Sequence, residues 1–368
     1  MNSKIIAFYL PQYHPTATND LHYGKGFTEW TNVGKAKALF HGHYQPKVPA
    51  DLGYYDLRIP EVRQMQAEFA KEAGIYGFCY YHYWFSSEHQ ELDLPFKEVV
   101  NSKSPDFPFC LCWANQSWYS KFWSFDRNCV PKLVAQQTYE DSEGIKKHFF
   151  SLLDAFRDKR YIRVDGRLLF MIYRPLEFPG VKDFMSQWQA LAKEHGLGGF
   201  FFTAQATNDS EIKKIMNLGF DGVNIVRMHE YTKHFPYNNI FYKFWCKFLR
   251  LLGQAPYHVD YRKIMKYFFD PDVEGKKENV FPTIIPNWDH SPRSGKRGTI
   301  FTNSTPQNFK KHCRQVLSGR SAFLSDTNLI FLKSWNEWGE GNYMEPDLKY
   351  GKKFIETLRE VIDQEENK

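Results

Sequence analysis

The sequence predicts an α/β fold: a single (β/α)8 barrel of the TIM type, with long loop insertions at its C-terminal face. Three observations carry that prediction. Eight short apolar runs rich in β-branched and aromatic residues recur along the 368-residue chain, and amphipathic helical stretches fall between most of them. The first run is also not followed by a glycine-rich phosphate loop, since Leu10-Pro11-Gln12-Tyr13-His14 contains no glycine, which disfavours a doubly wound open sheet.

The strand candidates, in order, are Lys4 to Leu10, Ile75 to Tyr83, Phe107 to Ala114, Leu168 to Tyr173, Phe200 to Ala206, Gly222 to Met228, Val280 to Pro286 and Leu329 to Trp335. Several are apolar on both faces, as parallel strands buried between layers must be. The helices between them carry end signals. Pro60 opens a helix in which Val62, Met65 and Phe69 repeat at helical spacing before Gly74 stops it. A second begins near Thr138 with Ile145, Phe149 and Phe156 on one stripe, and a third runs from Asp183 through Trp188 and Leu191 to Gly196. Thr305-Pro306 opens a fourth, with Phe309, Cys313 and Val316 inward and Gly319 closing it; a last helix carries Phe354, Leu358 and Ile362. Residues 1–368 read as one domain with an insertion at about 231–275, because no repeat or low-complexity linker divides them.

Two stretches interrupt the alternation. Pro11 to Asp56 is long and rich in Gly, His and Trp, and it must cover the mouth of a barrel whose first strand ends near Leu10. Tyr231 to Asp260 contains an aromatic and basic segment, Phe241 to Leu252, that reads either as an extra helix packed on the barrel or as a surface helix touching anionic membrane. The apolar run Ile5 to Leu10 is shorter than a signal-peptide core, and no run reaches the roughly 18 apolar residues of a membrane span. The expectation is a soluble, cytoplasmic protein, peripheral at most on the inner membrane face.

Composition narrows the function. Aromatics make up 18% of the chain, with ten Trp and twenty-two Tyr, a surplus suited to stacking on the C–H faces of sugars while ring heteroatoms hydrogen-bond hydroxyls. A formal net charge of +6, with both signs intermixed, gives no basic arm for nucleic acid. Six cysteines show neither metal-ligand spacing nor the density of a disulfide scaffold, and Cys110-x-Cys112 reads as packing on one strand face. His41-Gly-His43 lacks a third ligand, and Asp270-Pro-Asp272, a short pattern that also holds metal in nucleotide-sugar transferases, follows a helix-like stretch rather than a strand. No metal and no cofactor are expected, and the sequence sets no oligomeric state.

In a barrel the chemistry sits at the C-terminal ends of the strands. Here those ends read Gln12-Tyr13-His14, Tyr81-His82-Tyr83-Trp84, Trp113-Ala114-Asn115-Gln116, Tyr173-Arg174, Arg227-x-His229-Glu230, Asn287-Trp288-Asp289 and Trp335-Asn336-Glu337-Trp338-Gly339-Glu340. Together they predict a polar, ring-lined cleft. Glu337 and Glu340 stand three residues apart directly after a strand, so both can face it, and proximity raises the pKa of one so that acid and base coexist near neutrality. Gly339 and Gly341 let that turn bend tightly.

These residues carry a resemblance. Ile6-Ala-Phe-Tyr-Leu-Pro-Gln-Tyr-His14, Gly26-Phe-Thr-Glu-Trp-Thr-Asn32, Gly42-His-Tyr-Gln-Pro46, Asp51-Leu-Gly-Tyr-Tyr-Asp-Leu-Arg58, Gly74-Ile-Tyr-Gly-Phe-Cys-Tyr-Tyr-His-Tyr-Trp84 and Trp335-Asn-Glu-Trp-x-Glu340 with Glu345-Pro-Asp347 resemble the glycosyltransferase WbsX-like family, also described as glycoside hydrolase family 99-like. The resemblance runs over nearly the whole chain. It implies a (β/α)8 barrel, an association with lipopolysaccharide or capsular polysaccharide, and kinship with retaining endo-α-mannosidases. In those, the first Glu of Asn-Glu-Trp-x-Glu is base toward the sugar 2-hydroxyl, a 1,2-anhydro sugar forms, and the second Glu is acid and then base; here these are Glu337 and Glu340. Substrate contacts are expected from Tyr13, His14, Glu29, Trp30, Tyr81, His82, Tyr83, Trp84, Trp113, Asn115, Gln116, Tyr173, Arg174, Trp288, Asp289, Trp335, Asn336 and Trp338. One departure stands out: the family places Glu and then Asn-Trp after Trp-Ala-Asn, where this chain has Gln116, Ser117 and Trp118.

Three functions follow. A retaining glycoside hydrolase or transglycosylase acting on an oligosaccharide or lipid-linked glycan needs the carboxyl pair and no cofactor; a glycosyltransferase of O-antigen assembly needs a donor site; a non-catalytic glycan-binding protein needs the aromatics alone. The intact pair argues against the third.

Overall fold

A computed structural model of the chain describes residues 3–119, 132–234, 240–252, 255 and 257–367. Among the described residues, eight parallel strands form one ring: β1 (Lys4–Tyr9), β2 (Gly77–Ser86), β3 (Phe109–Trp113), β4 (Arg167–Ile172), β5 (Phe200–Ala206), β6 (Gly222–Ile225), β7 (Val280–Phe281 with Thr283–Ile284) and β8 (Leu329–Leu332). Neighbours in the sheet follow chain order. β8 returns to β1 with Ile6 opposite Phe331 and Ala7 opposite Leu332, so the sheet closes. β7 is split because Pro282 has no N–H to donate; its first half pairs with β6 and its second with β8. β8, buried throughout, shows why these strands read as unbroken apolar runs: helices cover one face and the barrel core the other.

The longer helices are α1 (Pro60–Glu72), α2 (Leu94–Ser102), α3 (Ser142–Ser151), α4 (Val181–Glu194), α5 (Asp209–Met216), α6 (Ile240–Leu251), α7 (Pro306–Arg320) and α8 (Lys353–Glu366), and all but α6 cover the barrel. Two differ from expectation. In α1, Met65 faces solvent, and the inward side carries Arg63, Gln66, Ala67, Phe69 and Ala70. Polar groups are tolerated there because they are bonded: Tyr9 donates to Gln66 Oε1 at 2.6 Å and Arg63 to the Leu57 carbonyl at 2.6 Å. α3 starts at Ser142 rather than near Thr138, because the Asp141 carboxylate caps the N–H groups of Glu143 and Gly144 while the Thr138 N–H bonds the Phe85 carbonyl at the end of β2.

The 231–275 insertion adds α6, the pairing of His258–Asp260 with Ile300–Thr302, and a small core of its own around Tyr261, Ile264, Phe268 and Phe301. Arg227, expected at the cleft, is instead buried against Glu274 at 2.7 Å and Asp209 at 2.6 Å, where ion pairing meets its desolvation cost. The five described cysteines are buried free thiols; Cys129 lies outside the described residues.

Trp188 on α4 is the centre of a ring cluster, 4.8 Å from the Phe170 centroid, 4.5 Å from Phe184 and 5.2 Å from Phe200, and it is fully buried. Trp188→Ala leaves a cavity between α4 and the sheet. The expected loss is about 3–5 kcal/mol of unfolding free energy, read by urea denaturation.

Candidate active site

Beyond Leu332 the chain leaves β8 through Lys333 and Ser334 and folds into a small hairpin, Asn336–Glu337 against Asn342–Tyr343, closed by the turn Trp338–Glu340. Asn336 ties this hairpin to the end of β1: its amide accepts from Leu10 N–H at 2.7 Å and donates to the Leu10 carbonyl at 3.0 Å. Tyr13 donates to the Asn336 carbonyl and accepts from Trp338 N–H at 3.2 Å. The Trp338 ring stacks on Tyr343 at 3.7 Å, and its indole N–H donates to Glu345 at 2.6 Å. Glu345 also accepts from Tyr55 at 2.9 Å and Gln66 at 2.6 Å. Burial nevertheless prevails over these donors and pushes its pKa up to about 7.

The hairpin presents Glu337 and Glu340 to a cavity of about 790 Å³ at the C-terminal mouth of the barrel. That volume is near the top of the roughly 300–1,000 Å³ range of ligand pockets and suits an oligosaccharide. Glu337 accepts from Ser334 at 2.8 Å and faces the Lys333 ammonium at 3.4 Å. Burial is the strongest influence on it and Glu340 adds to the effect, so its pKa is pushed up to about 7 although Lys333 pulls the other way. Burial also works against the charge on Lys333, but the carboxylates of Glu337 and Glu340 outweigh it and hold its pKa above the usual lysine value. Glu340 is bound by the Arg293 guanidinium, which also donates to Glu29 Oε1 at 2.9 Å. His290, 3.8 Å from Glu340, is pushed down to about 4, first by burial and then by Arg293, and is neutral at pH 7.

The two glycines of the turn have separate reasons. A Cβ on Gly339 would stand 1.4 Å from Glu29 Oε1, so glycine is what lets the buried Glu29 carboxyl approach; Gly341 has φ +59°, a left-handed conformation that favours glycine.

Of the residues expected to touch substrate, Tyr81, Tyr83, Gln116, Tyr173, Arg174 and Trp288 line the cavity with Glu337 and Glu340. The others stand behind its wall. In β2 the pleat turns Tyr81 and Tyr83 inward and His82 and Trp84 outward, where His82 meets His148 at 2.8 Å and Trp84 stacks on the same ring. Trp113 packs on Phe184 and donates to the Trp84 carbonyl, and Asn115 holds the Arg174 backbone through two bonds. Tyr13, Trp335, Asn336 and Trp338 are buried in the hairpin's support, Trp30 packs against Tyr13 and Trp338, and His14 is buried beside the Pro15 carbonyl. Glu29 reaches the site only through Arg293. Asp289 points away from the cleft, accepting from His43 at 2.8 Å and Gln45 at 2.7 Å. Burial raises its pKa, yet these donors and Lys47 override that and hold it at about 2.

The cavity also takes in Gln12 and His229, read from the sequence as strand-end residues of the cleft, and Gln205, His290, Arg293 and Lys333, which were not expected there. Lys333 had one available signal, its place four residues before Glu337 at a strand end. Arg293, on the short helix Ser291–Ser294, had none, because its two partners come from distant parts of the chain.

His43 is committed to Asp289, and no group of three or more His, Cys, Asp or Glu among the described residues is placed to hold a metal. Asp270 caps the turn before Glu274 through the Asp272 N–H, and Asp272 pairs with Lys276; neither lines the cavity.

A closed parallel barrel with paired carboxyls at its mouth, set among tyrosine and tryptophan faces, has the layout of the carbohydrate-active class. The chain belongs to the glycosyltransferase WbsX family, whose model matches residues 5–358. WxcX proteins from two strains of Xanthomonas campestris pv. campestris, described as uncharacterized, are 30% identical over 375 residues, covering 98% of this chain and 50% of theirs. The chain thus spans about half the length of the curated relatives it matches. Among solved structures, the GH99 endo-alpha-mannosidase from Bacteroides thetaiotaomicron superposes with a TM-score of 0.57 at 13% identity, over 99% of this chain and 97% of that one. A glycoside hydrolase-like protein superposes with a TM-score of 0.60 at 14% identity, over 98% and 93%. At such identities the likeness speaks for the fold.

The buried Glu345 yields a pH test. Its folded pKa of about 7 lies above the model-peptide value of 4.5, so the stability it confers is full below about 4.5 and is lost as pH rises through about 7. Glu345→Gln does not titrate. Urea denaturation at pH 5 and pH 8 is expected to shift the stability difference by about 2–3 kcal/mol in favour of the variant at the higher pH.

Proposed function

We propose that the protein acts on α-linked, mannose-like glycosides with retention, through a 1,2-anhydro sugar, in the metabolism of a bacterial surface polysaccharide such as O-antigen or capsule. The observation that carries this reading is Glu337: an enclosed carboxyl on the cavity lining, pushed up to about 7, where a general base is effective at neutral pH. Support also comes from family membership and from the barrel shared with the endo-alpha-mannosidase.

Glu337 takes the proton of the 2-hydroxyl, and O2 attacks C1 as the glycosidic bond breaks. Glu340 protonates the departing oxygen in the same step. In the second step Glu340 removes a proton from the incoming hydroxyl, that oxygen attacks C1, and Glu337 returns its proton to O2. Atoms and charge balance over the cycle, and inversion twice at C1 gives retention. Arg293 fixes the Glu340 carboxyl, Lys333 stabilises ionised Glu337, and Tyr81, Tyr83, Tyr173 and Trp288 offer ring faces and polar tips to the sugars. Gln116 accepts from Arg174 at 3.3 Å as a neutral amide and Glu177 stands 4.0 Å from the same guanidinium, so one carboxylate rather than two faces the Arg174 charge, which changes what this wall of the cleft offers a sugar. Transfer to a sugar hydroxyl instead of water uses the same two carboxylates and accords with the family's description as glycosyltransferases.

A panel of α-mannosides and other α-glycosides, with product analysis for water or sugar acceptors, tests the reading. Glu337→Gln and Glu340→Gln are each expected to lower turnover about 10²–10⁴-fold with ligand affinity largely kept. Turnover surviving both substitutions removes this mechanism.

The base role also fixes a pH dependence. Activity rises as Glu337 ionises, so the acidic limb of the kcat/KM profile is expected near pH 7. Lys333→Met removes the cation that lowers this pKa, and the limb is expected to move up by about 1 unit or more. A limb that stays in place, or moves down, contradicts the assignment.

A further inference from the structure

α6 presents its apolar face outward. At 100° per residue, Phe244, Trp245, Phe248, Leu251 and Leu252 fall within an arc of about 120°. Four of them are 64%, 55%, 49% and 79% exposed (Phe244, Trp245, Phe248 and Leu251), while Cys246 and Leu249 face the protein. A helix covering the barrel would do the reverse. Lys243 and Lys247 flank the exposed arc on one side, and from Tyr231 to Val259 the sequence carries no Asp or Glu; Lys233, at the start of this stretch, pairs with Glu230 at 2.6 Å. The helix has 12 residues, too few to cross a bilayer.

Its position gives the face a direction. The insertion leaves the barrel after Met228 and His229, which line the cavity, and returns beside the loop before His43: Ala255 N–H donates to the Leu39 carbonyl, and the His258 ring packs on Phe40 at 4.7 Å. Both ends of the insertion are therefore anchored at the mouth.

We infer that α6 is an in-plane anchor that docks the rim of the cleft onto an anionic phospholipid surface. Its aromatic arc enters the boundary between headgroups and acyl chains, and its lysines meet lipid phosphates. The absence of acidic residues over the whole stretch favours a bilayer over a second copy of the chain, for which Lys243 and Lys247 of the two copies would face each other. With the mouth held at the membrane, the substrate class becomes a glycan carried on a lipid; this last clause rests on the catalytic reading above, whereas docking does not.

The test is flotation of the full chain with phosphatidylcholine vesicles, with and without about 30% phosphatidylglycerol. Wild type is expected to float with the anionic vesicles and to detach as salt rises. Phe244→Ser/Trp245→Ser/Phe248→Ser and Lys243→Glu/Lys247→Glu are each expected to weaken partitioning at least about tenfold, with unchanged unfolding midpoints and unchanged turnover of a soluble glycan. No flotation of wild type, equal flotation of the variants, or a light-scattering dimer that the aromatic variant dissociates overturns the proposal. Such a failure with soluble turnover intact leaves the catalytic reading standing, and loss of that reading through the Glu337 variant leaves flotation unaffected.

Discussion

The site depends on one side-chain amide. β8 ends before the hairpin of Glu337 and Glu340 begins, and a strand end without a neighbour would leave the hairpin free to swing. Asn336 supplies the missing neighbour by pairing with both backbone groups of Leu10, as an adjoining strand would. The barrel ladder is thereby extended one step beyond its own backbone, and Glu337 is carried with it. Tyr13 on one side and Trp338 over Glu345 on the other complete the clamp. Aromatic residues that a sequence motif presents as sugar platforms are here the hairpin's bearings.

Around that clamp, charge is organised by alternation: Glu29, Arg293, Glu340, Glu337 and Lys333 place three carboxyls against two cations. Fully ionised, the group would carry one excess negative charge in a buried setting. A single proton neutralises it, and Glu337, the carboxyl with the weakest cationic contact, is where the pKa reaches about 7.

The fold was legible because parallel strands covered on both faces must be apolar throughout, and β8, Leu329–Leu332, is the clearest case. The carboxyl pair was legible because its spacing and the strand before it are local. Alternation along β2 was also available and would have separated Tyr81 and Tyr83 from His82 and Trp84. Two kinds of feature were not legible. Asp289 looks like a cleft residue at a strand end, but its orientation is decided by His43 and Gln45 from a loop some 245 residues away. Arg293 joins Glu29 to Glu340 across separations of 264 and 47 residues, and no local pattern announces such a bridge. The inward Gln66 of α1 was hidden for a related reason: a polar residue on a buried face is explained only by the Tyr9 and Glu345 groups it meets.

The Asn336 to Leu10 clamp joins residues 326 positions apart, and β1 finds its second neighbour only in β8. During synthesis the first strand therefore waits, one edge unsatisfied, until nearly the whole barrel has been made. Until that moment neither carboxyl has its setting. A chain that stops before the hairpin carries the rings of Tyr81, Tyr83 and Tyr173 but neither Glu337 nor Glu340, so the cleft gains its paired carboxyls only when the barrel itself is closed.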